Sequence, residues 1–158
     1  MSELPKSLVS IMRDEKILKV GVGIGEDVLK LKRHRGLICK GMADIQAMGM
    51  KSLGLAAKAP KVGLKALAQS FVGIELIKPK RIAVSNWEDF PLTLQQIEYA
   101  AMDAWAGLRV YQEITGKRQL INKPPYQDVH VETIPSRSPV VRYVLLLALV
   151  VLLYYIFL

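Results

Sequence analysis

The sequence predicts a helix-rich α/β domain with few strands, followed by a linker and a C-terminal transmembrane helix. Three observations point there. One mostly apolar run rich in β-branched residues, ILKVGVGI at 17–24, reads as a strand. Several stretches around it repeat their apolar residues at the 3.6-residue period of a helix. The closing run, YVLLLALVVLLYYIFL at 143–158, holds neither a charge nor a helix breaker.

The elements follow in order. Leu4 to about Asp14 reads as a short helix with Pro5 in its first turn. After the strand at 17–24, GEDVLKLKRHRG reads as a helix stopped by Gly36. Residues 44–55 are expected to form a helix capped by Asp44 and weakened by two internal glycines. GLKALAQSFVG at 63–73 places Leu64, Leu67, Ala68, Phe71 and Val72 on one helical face. Proline and charge dominate until Thr93 and Gln96, which form a capping box. A long helix is expected from there to Ile114 or Thr115, closing at Gly116. With only one clear strand, the apolar side of 17–24 is expected to be partly exposed.

Three zones result: a globular zone at 1–116, a linker at 117–139 and an anchor at 140–158. The linker carries Pro124, Pro125, Pro135 and Pro139 among polar residues, which favours an extended chain. At 1.5 Å per residue the uncharged run spans about 24 Å, and Val140, Val141 and a snorkelling Arg142 extend it towards a full hydrocarbon core. Tyr154 and Tyr155 suit the far interface, while Arg137 and Arg142 on the body side follow the positive-inside pattern. The expectation is a single-pass, tail-anchored membrane protein with its body facing the cytosol. The endoplasmic reticulum is favoured over the mitochondrial outer membrane, because no basic residue follows the anchor.

Charge bounds the partners. The 158 residues hold 22 Lys and Arg against 14 Asp and Glu, a net charge of +8. Such a balance suits nucleic acid or an anionic membrane surface. Between residues 28 and 86, twelve Lys and Arg face only Asp44 and Glu75. Lys30, Arg33, Lys61, Lys65, Lys78, Lys80 and Arg81 are the candidates for tracking a phosphate backbone, with a solvated helix face as the plainer alternative. Cys39 is the single cysteine, which excludes an intrachain disulfide framework, and His34 and His130 are too isolated for a zinc site.

Two places hold candidate chemistry. Tyr99 and Asp103 sit four apart on the last long helix, so both project from one face, among Ile97, Ala100, Ala101, Ala104 and Leu108. A carboxylate on that face needs a cation or a hydrogen-bond partner, and small neighbours leave room for a ligand. The alternative is a solvent-facing aspartate beside a half-buried core tyrosine. Asp27 follows the strand through a glycine-bearing turn at a helix start, a position that also suits a carboxylate placed against the helix dipole. GVGIGE lacks the third glycine of a dinucleotide-binding fingerprint.

Taken in order, KVGVGIGED at 19–27, GLKALAQSFVG at 63–73 and KPKRIAVSNWEDFPLTLQQIEYAAMDAWAG at 78–107 resemble the DEDD-type 3′–5′ exonuclease domain of ribonuclease D and the Werner syndrome helicase. The likeness covers about residues 5–115 and includes the triplet Ser85, Asn86, Trp87. It implies a ribonuclease H-like fold, here partial, in which four carboxylates hold two Mg²⁺ or Mn²⁺ ions that hydrolyse a 3′-terminal phosphodiester. By position Asp27 matches the second-motif aspartate, and Tyr99 and Asp103 match the third-motif tyrosine and aspartate. The resemblance makes Asp27 and Asp103 metal ligands and Tyr99 the residue that positions the attacking water. No Asp-x-Glu pair, the family's first motif, occurs in the sequence. The expectation is therefore an N-terminally truncated chain lacking that pair and much of the central sheet.

Three functions fit these features. The first is a 3′–5′ exonuclease domain protein that binds nucleic acid and hydrolyses 3′ ends in its complete form. The second is a non-catalytic nucleic-acid-binding or interaction module tethered to a membrane. The third is a basic tail-anchored protein that sets its positive surface against anionic lipids.

Overall fold

The computed structural model describes residues 4–89 and 91–116. The linker and anchor expected at 117–158 lie outside the described residues. Among the described residues, no helix is long and apolar enough to cross a membrane. The chain divides into two compact units between Leu67 and Ala68.

The first unit opens with α1 (Lys6–Arg13), entered from Pro5 and burying Leu8 and Met12, which lie one turn apart on the same face. The exposed C-terminal carbonyls of α1 find a cation. Lys19 Nζ donates to Ile11 O at 3.1 Å and to Asp14 O at 2.6 Å. Lys19 also starts strand β1 (Lys19–Gly21), which pairs in parallel with β2 (Met42–Asp44) in the register Lys19↔Met42, Val20↔Ala43, Gly21↔Asp44. Parallel strands need a crossover, and α2 (Ile24–Arg35) supplies it. A Schellman turn ends α2: Gly36 adopts φ 61°, its N–H reaches Lys32 O at 3.0 Å, and Leu37 N reaches Leu31 O at 3.4 Å. Helix α3 (Ile45–Ser52) follows β2 directly, capped by Asp44 as expected. Gly41, just before β2, has φ 61°, and a Cβ there would stand 2.6 Å from Glu15 O, so only glycine lets these backbones approach.

The strand is shorter than the eight residues the sequence pattern marks. Ile17 and Leu18, each 42% exposed, stay outside the ladder, and the turn at Gly23 starts a helix at Ile24. Exposure of Ile17 and Leu18 agrees with the expected poorly covered face. Strand β2 has no signature in the sequence, because a three-residue MAD segment carries no periodicity of its own and exists only by pairing with β1.

Helix α4 (Leu64–Val72) contains the boundary between the units. In the second unit an irregular segment, 73–79, leads to the short α5 (Lys80–Ala83), which lies where the sequence showed only proline and charge. Helix α6 (Leu94–Thr115) has the expected capping box at Thr93 and Gln96 and closes at Gly116 with φ 66°. A core of Ile82, Trp87 and Ala100, with Leu92 and Tyr99 packed on it, joins the Ser85–Trp87 turn to the first half of α6. The described architecture is thus helix-rich α/β with a two-stranded parallel sheet.

Candidate functional site

Tyr99 and Asp103 follow the start of α6, which Gln96 ties to the Ser85–Asn86 turn. Gln96 is 3% exposed and uses its whole amide. Its Oε1 accepts from Thr93 N and Thr93 Oγ1, both at 2.9 Å, which completes the cap of α6. Its Nε2 donates to Ser85 Oγ at 3.0 Å and to Asn86 O at 2.8 Å. The turn so fixed carries Trp87, whose Nε1 donates to Ala83 O at 3.3 Å. The Trp87 ring meets Tyr99 edge to face, with centroids 6.0 Å apart and planes at 61°. SNW and TxxQ therefore form one scaffold that sets the ring of Tyr99.

One helical turn on, Asp103 shares a cleft of about 250 Å³ with Tyr99, Glu75, Leu76, Ile77, Lys78 and Met102. Asp103 is not the solvent-facing aspartate of the plainer alternative, since its side chain is only 16% exposed. Lys78 Nζ lies 2.9 Å from Asp103 Oδ2 and 5.6 Å from the centroid of the Tyr99 ring. Burial raises the Asp103 pKa above the usual carboxylate value, and the Lys78 hydrogen bond and charge pull in the opposite direction without cancelling it. Lys78 was expected on a solvent-facing basic surface; it lies instead inside this cleft. Leu76 is buried, Ile77 is 87% exposed and Lys78 turns back to the side of Leu76.

Asp27 belongs to the first unit, in the opening turn of α2. Partial burial is the main reason its pKa is pushed up to about 6; Lys30 opposes the rise, while Glu26 and Asp44 add to it. Asp44 has a wider role than the expected cap. Its Oδ1 accepts from Gln46 N at 2.9 Å and from Gly23 N at 3.0 Å, so one carboxylate oxygen fixes the starts of α2 and α3 together. Only the βαβ arrangement brings Gly23 to that oxygen, which is why sequence spacing did not show it.

The basic candidates fall in both units. In the first, Arg33, Lys61 and Lys65 are exposed and Lys30 is half-buried; Lys61 meets Glu26 at 3.5 Å with both side chains largely in solvent. In the second, Lys80 and Arg81 are exposed on α5.

The family's sequence description, "3′-5′ exonuclease", matches residues 4–119. The chain belongs to the 3′–5′ exonuclease family. Among its exonuclease relatives, a 3′-5′ exonuclease of Arabidopsis thaliana is 38% identical over 111 residues, covering 70% of this chain and 38% of the relative. The exonuclease 3′-5′ domain-containing protein 2 of Mus musculus is 37% identical over 113 residues, covering 72% of this chain and 17% of the relative. The bifunctional 3′-5′ exonuclease/ATP-dependent helicase WRN of Mus musculus is 36% identical over 114 residues, 72% of this chain and 8% of that protein. The chain thus spans well under half the length of these exonucleases. A crystal structure of the EXD2 exonuclease domain soaked in Mn is 34% identical, covers 73% of this chain and 57% of that one, and superposes with a TM-score of 0.34, too low to bear on the fold.

The described residues do not by themselves fit the two-ion centre that the exonuclease family implies. Among them no three His, Cys, Asp or Glu side chains come together as a metal site. In the cleft, Asp103 Oδ2 already receives the Lys78 ammonium at 2.9 Å.

Proposed function

We propose that this chain binds the 3′ end of nucleic acid as part of a 3′–5′ exonuclease and contributes Asp27, Tyr99 and Asp103 to its site. The observation that carries this is the shared cleft of Tyr99 and Asp103, positioned by the SNW–TxxQ scaffold, in a chain of the exonuclease family. The phenol and the carboxylate stand one turn apart in one cleft, so a hydrogen-bonding hydroxyl and an anion can address the same ligand. Lys78 adds a cation at the same wall, and Lys80 and Arg81 lie just beyond it in sequence for contacts to the phosphate backbone. In a complete form, Asp27 and Asp103 would be among the ligands of Mg²⁺ or Mn²⁺, whose chemistry would be stabilisation of charge at the phosphate. The carboxylates of an Asp-x-Glu pair, absent from these 158 residues, supply the remaining ligands. The fold in that form is ribonuclease H-like, of which residues 1–116 are a part.

The test is shortening of 3′-labelled single strands of DNA and RNA in Mg²⁺, with Asp103→Asn as the control. Shortening by the wild type that the variant loses supports hydrolysis by this chain. Equal degradation by both removes it.

A second function is favoured by the Lys78–Asp103 ion pair itself, which satisfies the third-motif carboxylate without a metal. It is a non-catalytic module that binds nucleic acid through Lys30, Arg33, Lys61, Lys65, Lys80 and Arg81. Binding that weakens steeply with salt, without strand shortening, is its signature.

We further infer that residues 140–158 tether the protein to a membrane, with the body in the cytosol and the endoplasmic reticulum favoured. The uncharged run at 143–158 and the flanking Arg142 support this. Resistance of the chain to alkaline extraction, lost on deleting 140–158, is the expected result.

A further inference from the structure

We propose that Ile77, Lys80, Arg81 and Val84 form a contact surface for an anionic lipid bilayer. The proposal rests on the membrane tether inferred above, which keeps the body of the chain beside such a surface. Ile77 is 87% exposed and Val84 72%, the two most exposed large apolar side chains among the described residues. Scattered apolar side chains need no explanation, but these two flank a pair of cations. Helix α5 is entered from Pro79, and Val84 N closes its turn onto Lys80 O at 3.0 Å. Val84 therefore follows Arg81 by three residues and Lys80 by four, on one helical face with them. Ile82 faces the other way, 7% exposed, in the core with Trp87 and Ala100. Ile77 precedes this turn and projects into solvent between buried Leu76 and Lys78, whose ammonium is drawn into the cleft.

The chemistry selects lipid. Lys80 and Arg81 suit any polyanion, whether a nucleic-acid backbone or a layer of anionic headgroups. A phosphate backbone gives nothing to an exposed isoleucine and valine, which a bilayer interface buries at its acyl boundary. A patch of two apolar and two basic side chains is weak alone, but a tether raises its effective concentration at the membrane until a weak contact suffices. The two cations favour that contact by about 10- to 30-fold at an anionic surface over a neutral one. Because Ile77 also lines the cleft of Tyr99 and Asp103, the contact sets that cleft close to the bilayer.

The experiment attaches a nitrobenzoxadiazole probe to Ile77→Cys, to Val84→Cys or, as control, to Lys58→Cys, an exposed site in the first unit. Each variant is made in the 158-residue chain with Cys39→Ala and checked for native circular dichroism. The chains are incubated with phosphatidylcholine vesicles, with or without phosphatidylserine, whose acyl-chain spin labels quench the probe on contact. Phosphatidylserine is expected to raise the contact equilibrium about 10- to 30-fold at the Ile77 and Val84 sites and to leave the Lys58 site unchanged. Adding Lys80→Glu/Arg81→Glu should abolish the rise. Equal quenching at all three sites overturns the proposal, as does a rise that survives the charge reversal. So does a response at the Ile77 and Val84 sites to a single-stranded oligonucleotide with none to phosphatidylserine, which assigns the surface to nucleic acid. The tether is scored separately by alkaline extraction. The expected rise in a chain that extraction removes keeps the surface and sinks the tether. An extraction-resistant chain without the rise does the reverse.

Discussion

Lys78 Nζ and Asp103 Oδ2 lie 2.9 Å apart, joining an irregular segment to the middle of α6 across a cleft that also holds Tyr99. A pair this withdrawn from water is asymmetric in its energetics. Removing one partner strands the other charge, whereas removing both leaves no charge to desolvate. Lys78→Met is expected to destabilise the chain by about 2 kcal/mol at pH 8. The Lys78→Met/Asp103→Asn pair should recover at least half of that. The Asp103 pKa is already raised, and losing Lys78 raises it further, so the loss should shrink as the pH falls and the carboxyl takes up a proton. Urea unfolding at pH 5 and pH 8 measures both effects.

Asp27 has a folded pKa of about 6 against an ordinary value of 3.8. The folded state therefore holds the proton longer than the unfolded state does, and this group favours folding more at low pH than at high. Its contribution is greatest below pH 4 and is lost as the pH rises to about 6. Asp27 is only partly buried, so the expected loss is discounted to about 1 kcal/mol. Asp27→Asn should flatten the stability profile across that window, read as urea midpoints at half-unit intervals of pH.

Gln96→Ala removes the return half of the capping box and leaves Thr93 N, Ser85 Oγ and Asn86 O without the amide. The expected cost is about 2–3 kcal/mol. Because Trp87 depends on the same turn, its emission should shift to the red before global unfolding. An unchanged spectrum and midpoint would mean that the scaffold does not depend on Gln96.

Two glycines make an opposed pair. Gly41→Ala meets the Glu15 carbonyl at 2.6 Å in a left-handed conformation, and a loss of about 2–4 kcal/mol is expected. Gly25→Ala, in the first turn of α2 with nothing within 4 Å, should stabilise by about 0.5–1 kcal/mol. Thermal melts of the two variants should therefore move in opposite directions.

What was legible in the sequence was local. Thr93 and Gln96 lie within one helical turn, and Gly116 stops the same helix by its own backbone freedom, so α6 could be bounded from the letters alone. Tyr99 and Asp103 shared a face by period. What was not legible depends on residues far apart in the chain. Strand β2 exists through its register with β1, and the second hydrogen bond of Asp44 comes from Gly23. Lys78, counted among solvent-facing cations, is drawn to Asp103 by a segment whose irregular backbone gives composition nothing to mark. Charge counts report how many cations a stretch has, and the fold decides which of them meet an anion.

The amide of Gln96 couples two stretches that a sequence comparison would score separately. Its oxygen belongs to the helix start and its nitrogen to the Ser85–Asn86 turn, so neither stretch is an independent module. Grafting either one alone from another sequence leaves a buried amide with half its partners. Loop and helix start form a single cassette, to be exchanged whole in any chimera. A lineage that altered one without the other would also lose the seat of Tyr99.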